Sequence, residues 1–169
     1  MTLNSLEDVL REQVEDLLSA ENQLVKALPK VAQAAQSPEL RKAFEEHLDQ
    51  TRNHVKRLEK VAGQIGLAPS VGTRCKAMEG LVAEGEEVIS LAGDPVAKDA
   101  ALIGAAQRIE HYEIAAYGTA STLAGELDLG DAEELLSKTL DEESAADKRL
   151  TKIATGGMFR SGVNQKAAR

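Results

Sequence analysis

The chain has 169 residues, enough for one domain with a substantial core. Hydrophobic residues make up 43%, much of it Ala, Leu and Val, while aromatics are 2% and Trp is absent; this favours close helix packing over a sheet sandwich rich in β-branched and aromatic residues. The formal charge of −8, the absence of a Lys/Arg block with interleaved aromatics and the lack of any apolar run near the roughly 18–20 residues of a membrane span argue against nucleic-acid binding and membrane insertion.

The opening segment MTLNSLEDVL has no basic stretch followed by an apolar one, so no signal peptide is expected. Cys75 stands alone, which excludes an intrachain disulfide and suits a reducing cytoplasm. The first helix is predicted from about Ser5 to Gln36, with Ser5 as N-cap and Asp8 three residues on. Leu10, Val14, Leu17, Leu24 and Leu28 form its amphipathic stripe, and Pro29 is expected to kink or break it. Ser37 and Pro38 supply an N-cap and a first-turn proline for the second helix, which runs to about Ile65 and stops at Gly66. Its stripe includes Leu40, Phe44, Leu48, Val55, Leu58 and Val61, and the short connection predicts an antiparallel hairpin.

Leu67 to Gly72 is read as a loop. A shorter third helix, about Thr73 to Leu91, follows, with Met78, Leu81, Val82, Val88 and Ile89 on its apolar side and Gly80 and Gly85 weakening it. Asp94 caps the fourth helix and Pro95 begins it; it runs to about Ala124, and its glycines Gly104 and Gly118 are expected to admit a close neighbour. Asp131 with Glu134 opens the last helix, which ends at about Thr155 before Gly156 and Gly157. Two long hairpins joined by a segment with an extra short helix give an all-α, ferritin-like four-helix antiparallel bundle of five helices, over residues 1–157. Residues 158–169 are polar and expected to be a disordered tail.

Polar residues interrupt the apolar stripes near the middle of each long helix. Glu21 lies in line with Leu17 and Leu24; His47, Gln50 and His54 share one edge of the second helix; Glu110, Glu113 and Tyr117 follow Ile103 and Ala106; Glu143 and Asp147 lie between Leu140 and Leu150. A single glutamate on a stripe is ordinarily an exposed edge charge. Four aligned mid-helix positions are different, because antiparallel helices bring their middles to one height. Carboxylates gathered there repel one another without a cation, and oxygen with some imidazole suits iron or manganese, and zinc less specifically. His111 is expected to point away from this face. Tyr112 and Tyr117 are read as packing residues, and Cys75 as inert, with no local base beside it.

The strings SAENQL, HLDQT, KAMEGL, DAALI, EHYEIAAYGT and LDEESAAD, spread from about Ser5 to Thr155, resemble the YciE/YciF-type bacterial stress-protein family of the ferritin-like superfamily. The resemblance implies a five-helix ferritin-like fold related to rubrerythrin-type proteins, usually dimeric, whose label comes from stress-associated expression. It also implies ligand roles for Glu21, Glu110 and, as a bridging residue, Glu143. The pattern departs from Glu-x-x-His in both halves: Thr51 precedes His54 at three and Gln50 at four, and Glu143 is followed by Asp147 at four.

The expected metal ligands are thus Glu21, Gln50, His54, Glu110, Glu143 and Asp147, with His47 and Glu113 beside them. The expected function is a stress-associated protein binding one or two iron or manganese ions, open to redox chemistry with oxygen or peroxide. The competing expectation is a non-enzymatic structural or interaction protein that keeps the bundle without a working metal site. No catalytic residue and no organic cofactor is assigned. A homodimer is expected, since four stripes fill a bundle and the third helix has an apolar side left to cover.

Overall fold

A computed structural model describes residues 3–67, 74–157 and 160–168. Its long helices are α1 (Leu6–Ala34), α2 (Pro38–Gln64), α4 (Pro95–Glu126) and α5 (Gly130–Thr155), with a shorter α3 (Lys76–Ser90) between α2 and α4. α1 packs on α2 and α4 on α5, and the two hairpins meet through α2 with α5 and α1 with α4. α3 covers α1 and α4. The result is an all-α bundle, as the helical stripes implied.

The caps explain the boundaries. Ser5 Oγ accepts from the Asp8 N–H at 3.2 Å, and Asp94 accepts from the N–H groups of Val96 and Ala97 at 2.9 Å. Ser37 makes no side-chain cap bond. The buried carboxylate of Asp99 reaches over from α4 instead, accepting from the N–H groups of Gln36 at 2.9 Å and Ser37 at 2.7 Å. α1 is unbroken through Pro29, which is exposed on its surface. α5 opens at Gly130 rather than at Asp131, with no side-chain cap. α3 begins at Lys76, capped by Cys75 Sγ; the loop read at Leu67–Gly72 and the helix start at Thr73 lie, beyond Leu67, outside the described residues. A close approach is absent at Gly104 and Gly118, where an added Cβ would be 4.0 Å from its nearest neighbour.

The tail departs from expectation. Strands β1 (Gly156–Gly157) and β2 (Arg160–Ser161) pair antiparallel, and a sixth helix, α6 (Val163–Ala167), packs on α4 and α5. Residues 160–168 are therefore ordered structure, not a disordered tail; the rest of that expectation, at 158–159 and 169, lies outside the described residues. Val163 is buried in the core, and Gly162 packs so tightly that a Cβ would lie 2.3 Å from the Ala154 carbonyl oxygen. One buried valine in a polar segment leaves no periodic signal, so the sequence pattern did not show it.

The core has two parts. One gathers Leu24, Leu28, Phe44, Ile103, Leu150 and Ile153; the other gathers Leu10, Val14, Leu17, Leu58, Val61 and Leu136. A buried polar layer lies between them along every long helix.

Because Asp99 holds two backbone N–H groups at the α1–α2 turn, Asp99→Ala should destabilise the fold by about 1–3 kcal/mol. Urea denaturation measures this; an unchanged midpoint would show that the cap contributes nothing.

Candidate metal centre

Helix periodicity builds the polar layer. His47 and His54 are seven residues apart, two turns on one face of α2. Glu110 and Glu113 share a face of α4, Glu21 sits mid-way along α1 and Glu143 mid-way along α5. All six are buried. Two groups have ligand atoms mutually within 4.8 Å: Glu21, His54 and Glu143, and His47, Glu110, Glu113 and Glu143.

Glu143 belongs to both. Its Oε1 lies 2.9 Å from His54 Nδ1, and its Oε2 lies 3.8 Å from His47 Nε2. His54 Nδ1 is also 3.3 Å from Glu21 Oε1, and His47 Nε2 is 3.5 Å from Glu110 Oε1. Donors bound at about 2.0–2.2 Å stand roughly 3 Å apart at right angles and nearer 3.5 Å at tetrahedral angles. The observed separations fall mostly in that range.

Hydrogen bonds do not account for these contacts. Among the described residues, the fully buried side-chain atoms without a hydrogen-bond partner are Glu21 Oε2, His47 Nδ1, His54 Nδ1, Glu110 Oε2 and both oxygens of Glu113 and Glu143. Every one belongs to this cluster. Leaving such a group unpaired costs about 1–3 kcal/mol. The close His54–Glu143 pair is an ion contact whose angles miss hydrogen-bond geometry.

Around the cluster, other side chains fix its members. Tyr117 donates to Glu21 Oε1 at 2.5 Å. His54 Nε2 lies 2.9 Å from Glu142 Oε2, and Arg57 grips the same carboxylate with two N–H bonds at 2.7 and 2.8 Å. A carboxylate on Nε2 places the proton there and turns Nδ1 toward Glu21 and Glu143.

Two like charges about 4 Å apart at an effective dielectric near 20 repel by about 4 kcal/mol. The carboxylates respond accordingly. Burial, then the charge of Glu143, pushes Glu110 and Glu113 well above the usual carboxylate range. Burial also raises Glu21, against the pull of His54. Glu143 is held below its ordinary value: burial opposes this, but the two histidines outweigh it. For His54, burial works against charge, yet Glu143 and Glu21 raise it to about 10. Without a cation, protons neutralise this layer.

Residues 5–168 match the family described as a domain of unknown function, DUF892. The chain belongs to the DUF892 family. Protein YciF of Escherichia coli K12 is 42% identical over 167 residues, covering 99% of this chain and 98% of that protein. The crystal structure of the E. coli stress protein YciF superposes with a TM-score of 0.85 at 43% identity, covering 89% of this chain and 94% of that one. The YcfI protein of Rhodopseudomonas palustris gives the same TM-score at 38% identity, covering 89% and 96%. The YciF-type resemblance read from the sequence strings is therefore shown.

Within this DUF892 chain, the structure brings together Glu21, His54, Glu110 and Glu143, with His47 and Glu113. Asp147 falls outside both groups. Gln50 is half-buried on the wall of a cavity of about 160 Å³ that it shares with His47 and Glu110. Asp147 accepts from Gln107 Nε2 at 2.9 Å and acts on Glu110 only as a nearby negative charge. His111 is exposed, as expected. Tyr117 does more than pack, since it bonds Glu21. Tyr112 donates to Asp16 and lies 3.1 Å from the buried Cys75 Sγ. Arg57 and Glu142 went unrecognised because both read as ordinary helix-surface charges; the Glu142-Glu143 doublet was the only hint.

These shifts set a pH dependence. His54 titrates higher folded than at its ordinary 6.5, so its contribution to stability is full below about 6.5 and is lost as pH rises toward about 10. The raised Glu110 and Glu113 carboxyls act in the same sense, favouring the folded state less as pH climbs above their ordinary 4.5. The melting temperature of chelator-treated protein should fall from pH 6.5 to pH 10. The Glu110→Gln, Glu113→Gln double variant should fall less steeply; identical profiles would remove these carboxyls from the account.

Proposed function

We propose that this chain is a ferritin-like, stress-associated protein that binds one or two iron or manganese ions in its bundle core. The observation that carries this reading is the confinement of unpartnered buried atoms to one cluster of carboxylates and imidazoles. Oxygen donors with some nitrogen suit iron or manganese. Glu21, His54 and Glu143 would hold one ion, and His47, Glu110, Glu113 and Glu143 a second. Such ions supply Lewis-acid and one-electron chemistry toward small oxidants such as oxygen or peroxide. The protein's part is to exclude bulk water with the two apolar core halves, to aim Glu21 through Tyr117, and to aim His54 through Glu142 and Arg57. Gln50 and Asp147, at the edge, shape the surroundings of Glu110. Among the described residues, no helix is long and apolar enough to cross a membrane. A cytoplasmic setting accords with the buried free thiol of Cys75.

Metal should replace the protons held by the raised carboxyls, so uptake releases protons and stabilises the fold. Fe(II) or Mn(II) added anaerobically to metal-free protein at about 100 times Kd should raise the melting temperature by about 5–10 °C. Glu110→Ala and Glu143→Ala should lose that response. No saturable uptake by calorimetry, with an unchanged melting temperature, would leave the non-enzymatic structural reading in its place.

We also propose a homodimer. The family resemblance supports it, as do Leu3, Leu6 and Leu91, which are exposed at 59%, 48% and 58%. Light scattering at micromolar concentration should give twice the 18.0 kDa chain mass. A monomer or a large cage would refute it.

A further inference from the structure

A second feature touches the polar layer from another side. On α3, Met78, Val82, Gly85 and Ile89 recur at spacings of four, three and four, so they share the face turned toward α1 and α4. Gly85 is buried, yet a Cβ built on it meets nothing within 4 Å. Gly85 borders a cavity of about 40 Å³ that reaches the surface at Lys30 and Glu86. Its walls include Leu24, Leu28, Val82, Leu102 and Ile109, and its polar atoms come from His47 and Glu110 together with the Lys30–Glu86 ion pair, 2.7 Å long, between α1 and α3.

The size and chemistry of this space narrow its occupant. A water needs about 10–15 Å³ and two to four polar partners; with Lys30 and Glu86 paired to each other, His47 and Glu110 are the polar groups left in a mainly apolar wall, the low end of that need. Apolar cavities stay dry and take apolar guests; one of about 150 Å³ admits benzene, and this one is far smaller. A diatomic gas fits, and a ring or an acyl chain does not. The other cavity beside His47 and Glu110, about 160 Å³ and bordered by Gln50 and Arg149, is roomy and polar enough for water or a polar solute.

We infer that the cavity beneath α3 is a holding site for one small apolar gas molecule, dioxygen, delivered against His47 and Glu110, while polar solutes including peroxide reach the same pair from the Gln50 side. The cavity stands on its own geometry; the use made of dioxygen there rests on the metal-site reading above.

The test begins with metal-free protein, in which the methyl groups of Leu24, Leu28, Val82 and Ile109 are followed by NMR under xenon pressure and then under dissolved dioxygen. Saturable xenon shifts and enhanced paramagnetic relaxation by dioxygen, both confined to these methyls, are expected. Gly85→Leu should abolish both. That variant should fold, because the added side chain enters open space and leucine favours a helix over glycine; the melting temperature checks it. Absent xenon shifts in wild type, or shifts unchanged in Gly85→Leu, would overturn the inference. With Fe(II) bound, Gly85→Leu should slow oxidation by dioxygen several-fold and leave oxidation by hydrogen peroxide unchanged. Equal slowing of both would overturn the separation of routes. Should iron fail to bind, the metal reading and the role of dioxygen fall together, while the xenon result still decides whether the cavity takes an apolar gas.

Discussion

The rest of the structure depends on one constraint: carboxylates are held at mid-height inside a bundle where water cannot screen them. Glu21, Glu110, Glu113 and Glu143 come from three helices, and each is flanked along its own helix by apolar core residues. An all-leucine seam would pack at least as well. Keeping charge there costs stability unless protons or a cation neutralise it. The core is consequently two apolar halves with a polar septum between them. The divided core and the raised carboxyls are thus two consequences of one arrangement.

The septum is ordered by groups that do not belong to it. Arg57 fixes Glu142, Glu142 fixes the ring of His54, and Tyr117 fixes Glu21. His54 is fully buried and its partners Glu142 and Arg57 are only partly exposed, whereas Tyr117 and Glu21 are both fully buried. Glu142 stays ionised: burial raises it, but Arg57 and His54 outweigh that and hold it below its ordinary value. This chain of contacts leaves His54 with one nitrogen committed and the other aimed inward, which a surface histidine would not maintain against thermal rotation.

What the sequence made legible follows from what repeats. The stripes Leu10–Leu28 and Leu40–Val61 have helical periodicity, so α1 and α2 could be read within a residue or two. The same periodicity exposed Glu21 and Glu143 as interruptions. Asp147, four residues beyond Glu143, is taken by Gln107 of α4, while Gln50 lines the cavity it shares with His47 and Glu110. Contacts between residues distant in sequence were not legible. Asp99 capping α2 spans more than sixty positions, the pairing of Arg57 with Glu142 spans 85, and neither has a local signature. The ordered tail belongs to the same class, since Gly162 and Val163 are explained only by the end of α5 against which they pack.

The two halves of the septum are not equivalent. Around His54, both ring nitrogens face carboxylates and Glu21 is held by Tyr117. Unpartnered atoms occur in both halves, His54 Nδ1 and Glu21 Oε2 in one and His47 Nδ1 and both Glu113 oxygens in the other, but among the described residues only the first is hydrogen-bonded by Tyr117 and Glu142. The first half is therefore tied down by neighbouring side chains before anything binds, whereas the second is held mainly by packing. The second half is also the one that both cavities touch, through His47 and Glu110. Rigidity and access are thus separated within about one helical turn or two: the Glu21–His54 side is braced and closed, and the His47–Glu110 side is less braced and open. Glu143 joins them, with one carboxylate oxygen toward each histidine, so any change in charge on one side is felt on the other through a single side chain.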